Sequence, residues 1–326
     1  MELEIFRAKF ERLFQNRLSF QEGRSFLKEV YKGGVDGRIL GIGAKIMRKY
    51  ARPFPASSQL KGQLMDVVGT GGDRKGTFNI STTTALLLAG LGIKVAKHGN
   101  RSVTSKSGSA DMLEKLGIHL NLSPEKGVKM VQEVNFTFLF APNYHPAMEW
   151  IMPIRKSLSH PTIFNLLGPL ANPASPGYYL LGVYHSDLIE PMGIGLQVAG
   201  VKRGLVVASR DGLDEISIAS PTDGVLITEK GLKTIVIDPK KLGMEGSFSN
   251  LKGEDGEKNA KTARAILTGE EKGDKLKGVL LNGGVALWVR GVVQSIEEGI
   301  EMAWEGIRSG QVGVQLEKII AYSQQG

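Results

Sequence analysis

From Leu64 onward the chain alternates short apolar runs with stretches of helical periodicity, and this alternation limits its fold more than any other feature. Leu64–Val68 reads as a strand, Ser81–Leu91 as a helix, Ile93–Ala96 as a strand, Ala110–Leu116 as a helix and Phe136–Phe140 as a strand. Tyr178–Val183, Leu205–Ala208 and Val225–Ile227 follow as further strands. Strands separated by helices are joined by crossovers, which set neighbours parallel and cover the sheet with helices. The C-terminal third reads as helices near Ala260–Leu267, Leu276–Val289, Ile296–Ser309 and Gln315–Ser323. The first sixty residues differ: Ile5, Phe6, Phe10 and Phe14, then Ile39, Ile42, Ile46 and Met47, recur at helical spacing. Pro53, Pro55, Ser57 and Ser58 end that region and look like a hinge. The expected fold is α/β, with a small N-terminal helical domain over residues 1–60 and a larger domain over 61–326 on a central, mostly parallel sheet flanked by helices. A segment near 155–175 is a candidate to pack with the helical domain, and Pro239–Gly256, without apolar periodicity, reads as a surface excursion.

Composition narrows the function. The 326 residues are 41% hydrophobic and 23% charged, as in an ordinary globular protein. No apolar run approaches the roughly 20 residues that span a bilayer, and the charged, amphipathic start Met1–Arg12 lacks a secretory signal's apolar stretch. With no cysteine, disulfides, thiolate nucleophiles and sulfur-ligated zinc are excluded, and a cytoplasmic location is expected. The net charge of +8 favours anionic partners. Arg74, Lys75, Lys97, Arg101 and Lys106 fall inside glycine- and serine-rich loops, which suits a phosphate pocket better than a nucleic-acid stripe, and neither a membrane nor a specific nucleic acid is expected as partner.

Four constellations carry chemistry. Gly69-Thr70-Gly71-Gly72-Asp73 follows the first strand, and Thr77-Phe78-Asn79-Ile80-Ser81-Thr82 opens a helix. Such a loop can turn successive N–H groups onto an anion, and the helix N-terminus adds free donors and a positive dipole end. Thr77, Asn79, Ser81 and Thr82 add side-chain donors; the plainer reading is a tight turn with Ser81 as helix cap. The pattern is neither GxGxxG nor GxxxxGK[ST], which argues against NAD and ATP. The second constellation, Lys97-His98-Gly99-Asn100-Arg101-Ser102-Val103-Thr104-Ser105-Lys106-Ser107-Gly108-Ser109, again lies between strand and helix, with Ser109 able to cap the helix. In the third, Asp211-Gly212-Leu213-Asp214-Glu215-Ile216-Ser217, adjacent carboxylates offer hard oxygen ligands for Mg²⁺ bridging a diphosphate; the plainer reading has these acids facing solvent. The fourth joins His145-Pro146-Ala147-Met148 and Arg155 to Asn165-Leu166-Leu167-Gly168-Pro169-Leu170-Ala171-Asn172-Pro173, where an arginine among apolar residues can grip a planar carboxylate in two bonds.

Together these stretches, GTGGD with TFNIST, KHGNRSVTSKSGSADMLEKLG, FLFAPNYHPAM, IRKSL with TIFNLLGPLANP, and DGLDEIS, resemble the anthranilate phosphoribosyltransferases over about residues 62–320. The resemblance implies transfer of a phosphoribosyl group from phosphoribosyl diphosphate to anthranilate, with Mg²⁺, two ions, as cofactor. It implies a diphosphate site at Gly69, Gly72, Asp73, Thr77, Asn79, Ile80, Ser81, Thr82, Lys97, His98, Gly99, Asn100, Arg101, Ser102, Val103, Thr104, Ser105 and Ser109. Ser81, Asp214 and Glu215 would hold the metal, and Lys97, Arg101 and Asn79 would stabilise the transition state. Gly69, Asn100 and Arg155 would contact anthranilate, with His98, His145, Gly168 and Pro169 lining its route. A homodimer closed by the N-terminal helices is implied as well. Two departures stand out: the N-terminal region is shorter, as if a helix around Leu27–Gly34 were missing, and Val206-Val207-Ala208-Ser209-Arg210 replaces a histidine and glycine. Two other readings remain open from the residues alone, a non-catalytic nucleic-acid-binding relative and a nucleoside phosphorylase-like enzyme.

Overall fold

The computed structural model describes residues 1–102 and 106–325. Three helices open the chain: α1 (Leu3–Phe14), α2 (Phe20–Lys32) and α3 (Gly37–Lys49). Short α4 (Ser58–Lys61) leads into β1 (Met65–Gly69), α5 (Ile80–Gly90), β2 (Val95–Gly99), α6 (Ser109–Leu116), α7 (Pro124–Val134) and β3 (Phe136–Phe140). Then come α8 (Ala141–Tyr144), α9 (Met148–Lys156), α10 (Phe164–Leu170), β4 (Tyr178–Gly182), α11 (Ile189–Val198) and β5 (Arg203–Ser209). The hairpin β6 (Thr222–Thr228) and β7 (Gly231–Ile237) precedes four closing helices, α12 (Gly256–Leu267), α13 (Asp274–Arg290), α14 (Ile296–Arg308) and α15 (Gln311–Gln324).

All strands join one seven-stranded sheet in the order β3-β2-β1-β4-β5-β6-β7. The first five run parallel, and β6 and β7 add antiparallel at one edge. From β1 the chain winds outward through β2 to β3, then returns to the other side of β1 as β4. The order therefore reverses between β1 and β4, and the carboxyl ends of the strands flanking such a switch point leave a crevice for ligands. Gly69, Gly99, Gly182 and Ser209 end the four strands on that rim.

One sheet face packs Met65, Val67, Val95, Phe136, Leu180 and Leu205 against α5, α6 and α12–α15. The other packs Tyr179, Leu181 and Val206 against α1–α3, α9, α10 and α11 in one continuous apolar cluster. Ile154 and Phe164 share that cluster with the N-terminal helices. Phe6, Phe10 and Phe14 are buried, with Phe6 and Phe10 stacked 5.0 Å apart, whereas Ile5, one position off that stripe, is exposed.

Three expectations need correction, and one strand had no counterpart among them. No helix is missing near Leu27–Gly34: α2 occupies it, started by a capping box between Ser19 and Glu22 and held by buried Phe26, Leu27 and Val30. The Pro53–Ser58 stretch is not a loose hinge, because Phe54 is buried beside Leu60, Leu139 and Tyr144, and Ser57 caps α4. Strand β7 escaped notice because Lys233 and Thr234 break its apolar alternation, as suits an exposed edge. Finally, Pro239–Gly256 is more than a surface excursion. Leu251 is fully buried and its carbonyl accepts from Phe78 N–H (3.0 Å), Gly253 N–H donates to Gly76 O (2.9 Å), and Lys252 Nζ reaches Lys75 O (2.7 Å). This segment straps down the glycine-rich loop.

Candidate active site

The loop after β1 turns on Gly71 and Gly72, whose φ of 65° and 83° lie where a side chain would be strained. Its Gly71 N–H donates to Asp214 Oδ2 at 2.7 Å. Asp214 reaches it because the turn after β5 lies across the ends of β1 and β4. A β-carbon on Gly182 would stand 1.7 Å from Asp214 O, and one on Gly69 2.5 Å from Asp214 Oδ2. The neighbouring Glu215 accepts from Ser81 N–H (3.1 Å) at the start of α5. Asp214 is therefore not a solvent-facing acid. Burial, then Glu215 and Asp73, push its carboxyl well above the usual range, and burial raises Glu215 likewise, opposed by Lys97.

Lys97 rises from β2 into this cluster and is buried. Its Nζ donates to Val67 O (2.5 Å) and lies 3.5 Å from Ser81 Oγ. Burial lowers its pKa, while Asp66 and Glu215 support the charge. Asp66 was missed from sequence. It is fully buried on β1, takes a hydrogen bond from Asn172 Nδ2 (2.8 Å), and burial raises its carboxyl to about 6. A carboxylate inside the apolar run Leu64–Val68 was the available signal, since such a charge persists only with partners.

Helix α5 starts without a side-chain cap. Neither Ser81 nor Asn79 caps it, and Asn79 instead bridges to Ser107, donating from Nδ2 to Ser107 O (3.2 Å). Ile80 lies in the core with its N–H on Phe78 O, and Thr82 is buried, so these two offer little to a ligand in this arrangement. Ser109 likewise caps nothing; its Oγ donates to Asn100 O (3.2 Å), and Asp111 holds the loop by accepting from Gly108 N–H (2.8 Å) and Ser102 N–H (3.1 Å). Thr77 pairs with Lys252, and Asp73 accepts from Lys75 N–H (3.0 Å). Val103, Thr104 and Ser105 lie outside the described residues.

Arg101 departs most from expectation. Its guanidinium is gripped by Glu114 (2.6 and 2.8 Å) and Asp111 (3.1 Å) on α6, which raise its pKa further, so its charge serves the loop's own helix. Arg155 lies on α9. It is half-buried over the Phe164 ring (5.1 Å), hydrogen-bonds only Met152 Sδ (3.4 Å), and has no carboxylate partner among the described residues. Burial lowers its pKa, so an anion placed there would relieve an uncompensated charge.

His98 and His145 form an oriented pair. Gly168 O can only accept, so His98 donates from Nδ1 (3.1 Å) and its Nε2 keeps a lone pair. His145 must then donate from Nε2 to His98 Nε2 (3.2 Å), leaving its buried Nδ1 as an acceptor without a partner among the described residues. Burial lowers the two to about 3 and 4, and the His145 imidazole adds to the lowering of His98. Both are neutral near pH 7. Pro169 follows Gly168 inside α10, and the buried Ser209 hydroxyl lacks a partner among the described residues while Arg210 turns outward to Asp223 (2.8 Å).

Comparison with known proteins agrees with this geometry. A family model described as a glycosyl transferase family, a/b domain, matches residues 61–312. An anthranilate phosphoribosyltransferase of Persephonella marina is 44% identical over 284 residues, covering 87% of this chain and 83% of that protein. The crystal structure of the Thermus thermophilus anthranilate phosphoribosyltransferase is 36% identical with a TM-score of 0.91, covering 100% of this chain and 96% of that one. The Saccharomyces cerevisiae enzyme in complex with phosphoribosyl diphosphate and Mg is 28% identical with a TM-score of 0.85, covering 96% of this chain and 90% of that one. With the glycine-rich loop, the paired acids and the fold all accounted for, the chain belongs to the anthranilate phosphoribosyltransferase family.

Proposed function

We propose that this chain transfers the phosphoribosyl group of phosphoribosyl diphosphate to the amine of anthranilate, a step of tryptophan biosynthesis, and does so as a cytoplasmic homodimer. The observation that carries the reading is the meeting, at the β1/β4 switch point, of a backbone anion loop, buried Lys97 and the acids Asp214 and Glu215. The residues fit a magnesium diphosphate. Two like-charged, buried carboxylates a hydrogen bond away from the anion loop gain from a dication, and among the described residues no larger acid or histidine cluster competes for it. Asp214, Glu215 and Ser81 would hold Mg²⁺, two ions, which would supply positive charge against the departing diphosphate.

In the reaction the ribose C1–O bond to diphosphate breaks with its electron pair going to the diphosphate oxygen, the C1–N bond forms from the amine lone pair, and one amine proton passes to solvent or to the departing diphosphate. The charge that builds on diphosphate is met by Lys97 and the loop N–H groups, which are positioned beforehand. The aromatic amine is neutral at pH 7, so its attack depends on placement more than on a strong base. Arg155 supplies placement by pairing with the anthranilate carboxylate beside Gly168 and Pro169, and the neutral His98–His145 pair offers an acceptor without adding charge. Arg155→Ala should raise KM for anthranilate at least about tenfold while moving KM for phosphoribosyl diphosphate little. An equal rise in both would show that Arg155 is structural or serves the diphosphate.

A further inference from the structure

Asn79 stands between the two anion loops, and its carboxamide is oriented from a helix far along the chain. Asn259, in the first turn of α12 and only 2% exposed, donates from Nδ2 to Asn79 Oδ1 at 2.9 Å. Main-chain groups at both ends fix the orientation of the two side-chain amides. Glu254 N–H is a donor and sits 2.9 Å from Asn259 Oδ1, so that atom must be the oxygen and Nδ2 must face Asn79. The Asn79 atom facing it is then an acceptor. Asn79 Oδ1 also takes Ser107 Oγ (3.1 Å), which fills both its lone pairs, and Nδ2 faces the Ser107 carbonyl (3.2 Å), which can only accept.

We propose that Asn259 is a positioning residue for phosphoribosyl diphosphate: it holds the Asn79 oxygen toward α12, so that the Asn79 nitrogen bonds Ser107 O and keeps its second N–H for a phosphate oxygen. That second N–H has no protein partner among the described residues. Asn259 and Ser107 O thus hold one orientation from two sides, since a flipped Asn79 would set its oxygen against Ser107 O and its nitrogen against Asn259 Nδ2; without Asn259 only the Ser107 contact remains to keep the donors toward the loops. Asn259 is itself held firmly, because Asp255 caps α12 by accepting from Lys258 N–H (2.9 Å) and a β-carbon on Gly256 would stand only 3.0 Å from Asp111 O on α6. The strap segment and α12 are therefore both joined to the glycine-rich loop and its helix start by hydrogen bonds.

This inference rests on the reading of Asn79 as a diphosphate ligand, and a double-mutant cycle separates the two. Asn259→Ala should raise KM for phosphoribosyl diphosphate about tenfold and leave KM for anthranilate within about twofold. In the Asn79→Ala background the same substitution should change neither constant, because the group it orients is gone. Equal effects of Asn259→Ala in both backgrounds, or equal rises for both substrates, would overturn the inference alone. An Asn79→Ala protein with unchanged KM for phosphoribosyl diphosphate would overturn the assignment of Asn79 and the inference with it. If Asn259→Ala fails to fold, the isosteric Asn259→Asp serves, since any effect of its charge on the diphosphate recurs in both backgrounds and cancels from the cycle.

Discussion

Asp214 and Glu215 show how much local stability this site gives up. Both acids sit beside Asp73 in a buried rim, and the cost of their charges falls on the folded state. A carboxyl raised above its unfolded value stabilises the fold at low pH and loses that contribution as pH rises through the folded value. Asp214→Asn with Glu215→Gln should therefore raise Tm by a few degrees in the presence of a chelator, more at pH 8 than at pH 5. The same protein should lose at least about a hundredfold in turnover. Retained turnover at limiting Mg²⁺ would remove these acids from the metal site. The His98–His145 pair works in the opposite sense. Each histidine is held below its unfolded value of 6.5, to about 3 and 4, so the unfolded chain takes up protons first and stability falls as pH drops below 6.5. Each can contribute up to about 1.4 kcal/mol per pH unit there. His98→Asn keeps a donor for Gly168 O, and its stability should approach that of the parent between pH 7 and pH 5 in chemical denaturation. A gap that stays constant would mean these histidines are not buried as neutral groups.

At the scale of elements, the site depends on the turn after β5 lying flat across β4. Gly182 permits it, since an added β-carbon would overlap the Asp214 carbonyl at 1.7 Å. Gly182→Ala should push Asp214 and Glu215 off the rim, costing on the order of 2 kcal/mol in stability and more than about tenfold in kcat/KM. Parental kinetics in that variant would show that the acids need not sit where the turn puts them. Much of this layout was legible in the sequence. The runs Leu64–Val68 and Phe136–Phe140 announced β1 and β3, glycines directly after β1 announced the anion loop, and the adjacent acids of residues 214–215 announced the third corner. What stayed hidden was fixed by partners distant in sequence. Nothing near Asn259 points to Asn79, nothing near Arg101 tells that Glu114 and Asp111 claim it, and the strap from Phe248 to Gly253 has no periodicity because it lies against one loop.

For the whole molecule, the helical region and the sheet share one apolar cluster, so the N-terminal helices cannot be removed to test assembly. Helix α1 alone buries Phe6, Phe10, Leu13 and Phe14, and at roughly 2 kcal/mol each their loss rivals the whole stability of a typical domain. The apolar residues left for a partner are Ile5, Phe20, Tyr31 and Val35, all exposed on this region. Light scattering at micromolar concentration should give twice the 35.3 kDa chain mass, and Ile5→Glu with Phe20→Glu should shift it toward the monomer while leaving the fold intact. A dimer unaffected by these charges would place the interface elsewhere.

The most direct test follows anthranilate fluorescence in the presence of the chain, phosphoribosyl diphosphate and Mg²⁺. The fluorescence should decay, with one diphosphate released per anthranilate consumed, and the decay should stop when either Mg²⁺ or phosphoribosyl diphosphate is left out. Stable fluorescence under complete conditions, from a folded protein that instead cleaves nucleosides with orthophosphate or holds nucleic acid at physiological salt, would contradict the assignment.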